Sequence, residues 1–242
     1  MKHRAFTLVE LLVCIGIVAL LIGILLPTLQ RAREAGKTVK CLSNLRQMTV
    51  AAQAYVNEFY GFYPPAQWGT IPGKKVEWDF EQDNGQVLPG LLWRRHTALA
   101  IQQCPSFDGR SNSAGDPYTG YNYNTSYIGH GLGEGIEAPA KAVQVRDPTA
   151  TVLFGDGQWK NGANKYMRSP LPSPGEDTFS YKLGSSLNAA GAQGFRHQGM
   201  TNAAFCDGHA ESLRYDVFNN THSELAKGTG FLSADNSMYD LQ

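Results

Sequence analysis

Histidine and aspartate side chains that could bind a metal ion or transfer protons are concentrated in the C-terminal half of the chain. His197, Asp207 and His209 lie close together in the sequence, and Asp156 begins an Asp-Gly pair like that of Asp207 and Gly208. Because imidazoles and carboxylates are suitable metal ligands, Asp156, His197, Asp207 and His209 form a candidate ligand set. No zinc-hydrolase, nucleophile-elbow or phosphate-loop motif accompanies them. We therefore assign no catalytic residue, metal or cofactor, and expect structural hydrogen bonds instead, such as one from His197 to Asp207 or its turn.

Four cysteines provide the thiol chemistry of the chain. Cys14 lies in an apolar run and is expected to act as a small apolar residue. Cys41, Cys104 and Cys206 lie outside that run, and no Cys-x-x-Cys pair indicates a zinc site. Oxidised and reduced states of these three thiols both stay open at this point.

Glu10 is a carboxylate inside an otherwise apolar run from residue 5 to residue 26. An ionisable group within a membrane costs roughly 2.5–3.5 kcal/mol on insertion scales. In one interpretation, the side chain extends to the cytoplasmic headgroups, because it lies near the start of the run. In the other, it pairs with a positive group on a second chain, and spacing alone does not decide between them.

The run that contains Glu10 is long enough to cross a membrane. Its 22 residues cover roughly 33 Å at about 1.5 Å per residue, against about 30 Å for a bilayer core. Lys2, His3 and Arg4 precede the run, which favours a cytoplasmic N-terminus. No A-x-A-like cleavage site follows it, so an uncleaved single-pass anchor is favoured over a secretory signal peptide.

The helix is expected to continue beyond the apolar run. Apolar residues recur at helical spacing between positions 42 and 59, which indicates one face packed on the rest of the protein. Pro27 should kink or locally unwind the helix, and the Gly-Phe-Tyr-Pro-Pro sequence from Gly61 should end it. From residue 6 to residue 59 the helix would be roughly 80 Å long.

From residue 60 to residue 242 the composition shifts to Gly, Pro, Asn, Ser and Tyr. Asp207-Gly208 between two alternating runs predicts a tight hairpin turn, with a preceding turn at Gln198-Gly199. Strands are expected at 143–145, 151–154, 202–206 and 210–215, and exposed loops at 155–174 and 185–194. The stretch 88–102 could form a short helix or a strand. The predicted fold class is α+β, with a long helix packed on a small antiparallel sheet that has long loops.

The charged residues balance, with 21 basic and 21 acidic side chains, so the total charge indicates neither a nucleic-acid binder nor an acidic-substrate binder. Their distribution is uneven. Residues 1–59 carry 7 basic and 3 acidic side chains, and the basic ones flank the apolar run, as expected of residues near lipid headgroups.

The sequence Lys-His-Arg-Ala-Phe-Thr-Leu-Val-Glu, followed by the apolar run and Pro27, resembles the N-terminus of type IV pilins and type II secretion pseudopilins. The resemblance implies that prepilin peptidase cuts between Ala5 and Phe6 and that the new N-terminus is methylated. The family usually has Gly where this chain has Ala5. The implied organisation is a leader at 1–5, a helix at 6–59 with its membrane part at 6–26, and an extracytoplasmic head at 60–242.

The same resemblance implies a role for Glu10. In the family, the carboxylate at this place pairs with the free amine of a neighbouring subunit and brings each helix into a filament in register. Such a charge-assisted pair is strong in a low dielectric, and only the correct stagger satisfies both groups.

A second resemblance involves the head. His197, nine residues and then Asp207-Gly208 resemble the signature of prepilin-like proteins named for this H-x9-DG spacing. Cys41, in Cys-x-x-Asn-Leu-Arg-Gln, and Cys104, in Cys-Pro-Ser, resemble a recurring pair in related proteins. That resemblance implies a disulfide between helix and head, which would close a loop of about 60 residues and contribute a few kcal/mol on chain-entropy estimates.

Two classes of function remain open. The resemblance favours a non-enzymatic structural subunit, a pseudopilin or minor pilin of a type II secretion or type IV pilus-like filament. Its partners would be prepilin peptidase, other pilin or pseudopilin subunits, an inner-membrane assembly platform and membrane lipid, with no nucleic acid indicated. It would lie in the bacterial inner membrane with a periplasmic head, or in a filament. The alternative is a membrane-tethered extracytoplasmic binding or enzymatic domain that uses the pilin leader only for targeting.

Overall fold

The computed structural model describes residues 7–71, 73–93, 101–109, 119–131, 136, 138–158, 162–171, 173, 191–215 and 227–242. Its first element is α1, Leu8–Glu58, a helix of 51 residues that is about 76 Å long at 1.5 Å per residue. The predicted leader and the cleavage residues Ala5 and Phe6 lie outside the described residues. The helix continues through Pro27, so the local unwinding expected there is not found, while the alternative, a kink at Pro27, stays a prediction.

The two ends of α1 have different surroundings. Large apolar side chains between Leu8 and Leu29 are 43–73% exposed. An 18-residue window of this part has a mean hydropathy of 3.0 and no buried residue, so the helix is long and apolar enough to cross a membrane. The later part packs on the head through seven buried residues: Cys41, Asn44, Leu45, Met48, Thr49, Ala51 and Ala52. The predicted packed face is confirmed, and it also includes a thiol and two polar side chains.

Three sheets form the described part of the head. The largest contains β5 (Asn122–Asn124), β6 (Val152–Gly155), β7 (Tyr166–Met167), β9 (Met200–Phe205) and β10 (Ala210–Arg214). Its order is β10-β9-β6-β5-β7, and all neighbours are antiparallel except β5 and β7. A four-stranded antiparallel meander contains β1 (Gln67–Ile71), β2 (Lys74–Glu77), β3 (Phe80–Asp83) and β4 (Gln86–Pro89). A two-stranded sheet pairs β8 (Gln193–Gly194) with β11 (Thr229–Gly230). This arrangement confirms the predicted α+β fold class.

Three of the four predicted strands are present as β6, β9 and β10, with small shifts at their ends. The fourth prediction, a strand at 143–145, is wrong, because Ala142–Gln144 is a short 3-10 helix. The Gln144 side chain accepts a hydrogen bond from the Lys141 backbone N–H at 2.6 Å, which stabilises this helical turn.

Two regions predicted to be exposed loops are partly buried. Ala163, Asn164 and Lys165 are buried beside β7, and residues 191–194 are buried around β8. Residues 174–190 lie outside the described part. The stretch 88–102, for which a short helix or a strand was expected, contains the last residues of β4 and then a 3-10 helix at Leu91–Trp93. Residues 94–100 lie outside the described part.

An aromatic cluster joins α1 to the largest sheet. The rings of Trp78, Tyr123 and Phe154 lie 5.1–5.6 Å apart between centroids, and Leu45 and Met48 of α1 belong to the same buried core. Offset and tilted ring pairs at this separation add to the free energy of apolar burial. The cluster therefore fixes the rotation of α1 and directs Cys41 into the head.

Candidate functional site

The first candidate site is the N-terminal end of α1. Thr7 caps the helix, and its hydroxyl accepts a hydrogen bond from the Glu10 backbone N–H at 3.2 Å. The Glu10 carboxylate accepts bonds from the Thr7 backbone N–H at 2.9 Å and from the Thr7 hydroxyl at 2.7 Å. This is a capping box, whose Thr-x-x-Glu signature the sequence reasoning missed. Within one chain, Glu10 is thus held by a local bond at an exposed helix end.

The second candidate site is a buried cluster that joins four segments of the chain. Cys41 comes from α1, Cys104 from the segment 101–109, Asp156 from the end of β6, and His197 from the turn before β9. Their ligand atoms all lie within 4.8 Å of one another, and each residue is at most 1% exposed. Sequence analysis had paired Cys41 with Cys104 and grouped Asp156 with His197, but it had not joined the two pairs in one site.

Backbone geometry positions each member of the cluster. The Asp156 carboxylate accepts a bond from the Asn202 backbone N–H at 2.7 Å, which ties the end of β6 to β9. His197 and Met200 exchange two backbone hydrogen bonds of 3.0 Å around the positive-φ residues Gln198 and Gly199. The turn predicted at Gln198-Gly199 is therefore confirmed.

Gly120 allows the Cys104 segment to approach the cluster. Its φ is +97°, and a side-chain carbon at this position would lie 2.7 Å from Cys104 Cβ and 2.8 Å from Phe107 Cβ. Only glycine avoids both the strained backbone and this overlap. The Cys104 backbone N–H donates to the Thr119 carbonyl at 3.2 Å, which fixes the segment beside Gly120.

The side chains of the cluster contact one another directly. The Cys41 thiol donates to Asp156 Oδ1 at 3.2 Å, and Cys104 Sγ lies 4.0 Å from Cys41 Sγ. His197 Nε2 lies 3.6 Å from Cys104 Sγ and 3.2 Å from Asp156 Oδ2. Neither cysteine is disulfide-bonded in the structure, so the disulfide between them stays a prediction, although the structure brings the pair together.

Arg196 lies against the same cluster and was missed in the sequence. Its Nε donates to Cys104 Sγ at 3.2 Å, and one terminal nitrogen donates to Asp156 Oδ1 at 2.9 Å. The guanidinium also donates to the carbonyls of Gly157 and Gly120. A buried carboxylate next to a guanidinium with this many partners is a satisfied ion pair.

The pKa values within the cluster diverge. Burial opposes ionisation of Cys104, but the Cys41 thiol, the Arg196 guanidinium and the His197 ring outweigh it and lower the pKa of Cys104 to about 5. Burial and the neighbouring Cys104 and Asp156 raise the pKa of Cys41. Without a bound ion, Cys104 is therefore the thiolate, and Cys41 keeps its thiol proton.

His197 and Asp156 are shifted toward their charged forms. Burial lowers the pKa of His197, but Asp156 and Cys104 more than offset this and raise it to about 9. Burial also disfavours the Asp156 carboxylate, yet Arg196 and His197 hold the pKa of Asp156 below its usual value. A thiolate beside an imidazolium is the arrangement of cysteine nucleophiles. Here both groups are buried.

Asp207 and His209 lie at a different place. His209 Nδ1 contacts Asp207 Oδ1 at 2.6 Å at the exposed turn between β9 and β10. The predicted bond from His197 to Asp207 or its turn is wrong, because the length of β9 separates the two ends of the hairpin. The predicted ligand set of Asp156, His197, Asp207 and His209 is likewise divided into two pairs.

Comparison with known proteins assigns only the N-terminus. Residues 1–26 match the family model of the prokaryotic N-terminal methylation motif. No curated protein and no solved structure matches the chain. The motif supports a type IV pilin-like protein that is a substrate of prepilin peptidase, and the long apolar helix is consistent with membrane anchoring.

Proposed function

We propose that the chain is the precursor of a structural filament subunit, a pseudopilin or minor pilin of a type II secretion or type IV pilus-like system. The observation that carries the proposal is the methylation motif at residues 1–26 on a helix whose apolar part contacts nothing in the described head. Exposed apolar surface of this extent requires lipid or other apolar helices, since each exposed Å² costs about 25 cal/mol in water.

Assembly in this proposal depends on Glu10. Prepilin peptidase cuts between Ala5 and Phe6, and the new amine of one subunit pairs with the Glu10 carboxylate of its neighbour. The Thr7–Glu10 bonds support this, because they hold the carboxylate at the helix end and can exchange for a charged partner. The single-pass anchor, the cytoplasmic N-terminus and the periplasmic head belong to the same proposal, as do contacts with an inner-membrane assembly platform.

The Glu10→Gln variant tests the assembly step. It retains the shape of the side chain and removes its charge, so membrane insertion should be normal and incorporation into filaments should be lost. Glu58→Gln, at the opposite end of α1, is the matched control and should assemble normally. Subunit crosslinking through cysteines engineered on α1, in the native host, measures incorporation. Normal crosslinking of Glu10→Gln would instead support a membrane-tethered domain that uses the motif only for targeting.

Processing is tested separately by mass spectrometry of the chain from its native membrane. The expected N-terminus is N-methylated Phe6. An intact Met1, or a cut beyond Leu26, contradicts the proposal whatever the crosslinking shows.

A further inference from the structure

We propose that Cys41, Cys104, Asp156 and His197 bind a divalent transition-metal ion, with zinc as the ion that best suits the ligand set, and that this ion fastens α1 to the head. The four residues offer two sulfurs, one imidazole nitrogen and one carboxylate oxygen. Zinc is typically held by four such ligands in structural sites. No property of the methylation motif enters this inference, so it stands independently of the assembly proposal.

The distances within the cluster approach those of a tetrahedral site. With bonds of about 2.3 Å to sulfur and about 2.0–2.1 Å to nitrogen and oxygen, a tetrahedral zinc ion separates its ligand atoms by roughly 3.3–3.8 Å. The two sulfurs lie 4.0 Å apart, and Cys104 Sγ lies 3.6 Å from His197 Nε2. Asp156 Oδ1 lies 3.2 Å from Cys41 Sγ, and Asp156 Oδ2 lies 3.2 Å from His197 Nε2. All ligand atoms lie within 4.8 Å of one another, so a bound ion draws the most widely separated pair together by up to about 1 Å.

The orientation of His197 selects the ligand atom. Its Nε2 faces Cys104 and Asp156, whereas its Nδ1 lies 3.3 Å from the Thr38 hydroxyl and 3.4 Å from Glu34 Oε1. The Ser106 hydroxyl donates to the same Glu34 oxygen at 2.5 Å and holds that carboxylate in place. A metal-binding histidine usually donates its other N–H to a carboxylate or carbonyl in this way, which fixes the tautomer.

Charge balance favours a divalent ion. Two thiolates and the Asp156 carboxylate carry three negative charges, and Zn²⁺ with the Arg196 guanidinium supplies three positive ones. The buried group is then neutral as a whole, which removes the cost of an uncompensated buried charge. On binding, the ion replaces two protons, the thiol proton of Cys41 and the Nε2 proton of the His197 imidazolium, which leave to solvent, and the imidazole retains its proton on Nδ1. The Arg196 Nε–H continues to donate to Cys104 Sγ.

A metal ion and the Cys41–Cys104 disulfide exclude each other, because each uses both sulfurs. The structure brings an aspartate and a histidine to the same two sulfurs, which a disulfide would not require. We therefore assign the pair to the metal.

The first experiment measures metal and thiols in the full chain, purified in detergent without chelator or reductant. Elemental analysis should find one zinc per chain. In the Cys41→Ser and His197→Gln variants the content should fall at least tenfold. The matched controls are Cys14→Ser, a cysteine of the apolar run, and His209→Gln, a histidine also paired with an aspartate; both should retain one zinc. Absence of zinc from the wild-type chain, with a Cys41–Cys104 disulfide or with two free thiols in its mass spectrum, overturns the proposal.

A second measurement does not depend on variants that fold. Wild-type chain is stripped with chelator under reducing conditions and titrated with Co²⁺. One equivalent should produce the intense visible bands of tetrahedral Co²⁺ together with a sulfur-to-cobalt charge-transfer band, and Zn²⁺ should abolish both. The melting temperature should rise with ion concentration by mass action. Saturation without these bands, or no rise in melting temperature, also overturns the proposal.

Discussion

The apolar part of α1, residues 8–30, and the head part, residues 34–58, belong to one continuous helix. The first part is exposed, whereas the second packs on the head. The apolar part exposes its large side chains, and the side-chain bonds described within it are local, between Thr7 and Glu10 and from the Thr28 hydroxyl to the Leu25 carbonyl. The head part buries Leu45 and Met48 completely. The comparison teaches that one continuous helix can expose an apolar surface in one part and make a fixed intramolecular contact in the other.

The head part of α1 first contacts the head at Glu34 and Cys41. Glu34 accepts a bond from Ser106 of the head, and Cys41 reaches Asp156 after β6. The buried cluster therefore lies at the first turns of α1 that contact the head.

The largest expected effect comes from Leu45→Ala. Leu45 is fully buried in the core that joins α1 to the sheet, and a substitution of this kind typically costs about 2–5 kcal/mol of unfolding free energy. Leu20→Ala is the matched control, because Leu20 is 65% exposed and a surface change stays within about 0.5 kcal/mol.

Denaturant unfolding of the full chain in detergent measures both variants, with fluorescence of the buried Trp78 and Trp93 as the signal. Equal losses for Leu45→Ala and Leu20→Ala would show that the apolar part also packs on the head, and the contrast between the two parts would then be wrong.

Asn44→Ala should have a smaller effect on the same face of α1. The buried Asn44 amide donates to the Tyr121 hydroxyl at 3.2 Å and to the Gln103 carbonyl at 3.4 Å, and loss of a hydrogen bond of this kind costs about 0.5–1.5 kcal/mol. Gln47→Ala provides the control, because Gln47 is exposed and, among the described residues, its amide bonds to Ser43 on its own helix. If the two variants unfold alike, the polar contacts of α1 with the head add nothing to its apolar packing.

Local sequence signals predicted much of this fold. The apolar run predicted the exposed part of α1, and Asp207-Gly208 predicted the hairpin of β9 and β10. Asn84-Gly85, with positive φ at both residues, joins β3 to β4 and carries an equally strong hairpin signal. That signal was overlooked, and the four-stranded sheet with it. In contrast, β5 and β7 are very short and pair in parallel across a long separation, which no local pattern indicates.

The buried cluster was only partly predictable. Resemblance paired Cys41 with Cys104, and residue chemistry singled out Asp156 and His197, but in a different ligand set. The four positions lie in segments separated by dozens of residues, and only strand pairing and the rotation of α1 bring them together. Arg196 showed no signal of its own, because its role comes from the two buried acidic groups that it contacts.

The smallest expected effect concerns the N-terminal cap of α1. Thr7→Ala removes the hydroxyl that accepts from the Glu10 N–H, and loss of such a cap costs typically about 1 kcal/mol. That loss is local, so amide exchange in the first turn of α1 should accelerate about fivefold at this energy, while the melting temperature of the head stays unchanged. Thr7→Ser retains the hydroxyl and should exchange like the wild-type chain. Hydrogen exchange of the full chain in detergent, followed by mass spectrometry, measures both quantities. A lower melting temperature of the head in Thr7→Ala would mean that the N-terminal turn is coupled to the head part of α1. Without such coupling, fraying of the first turn does not change the stability of the head.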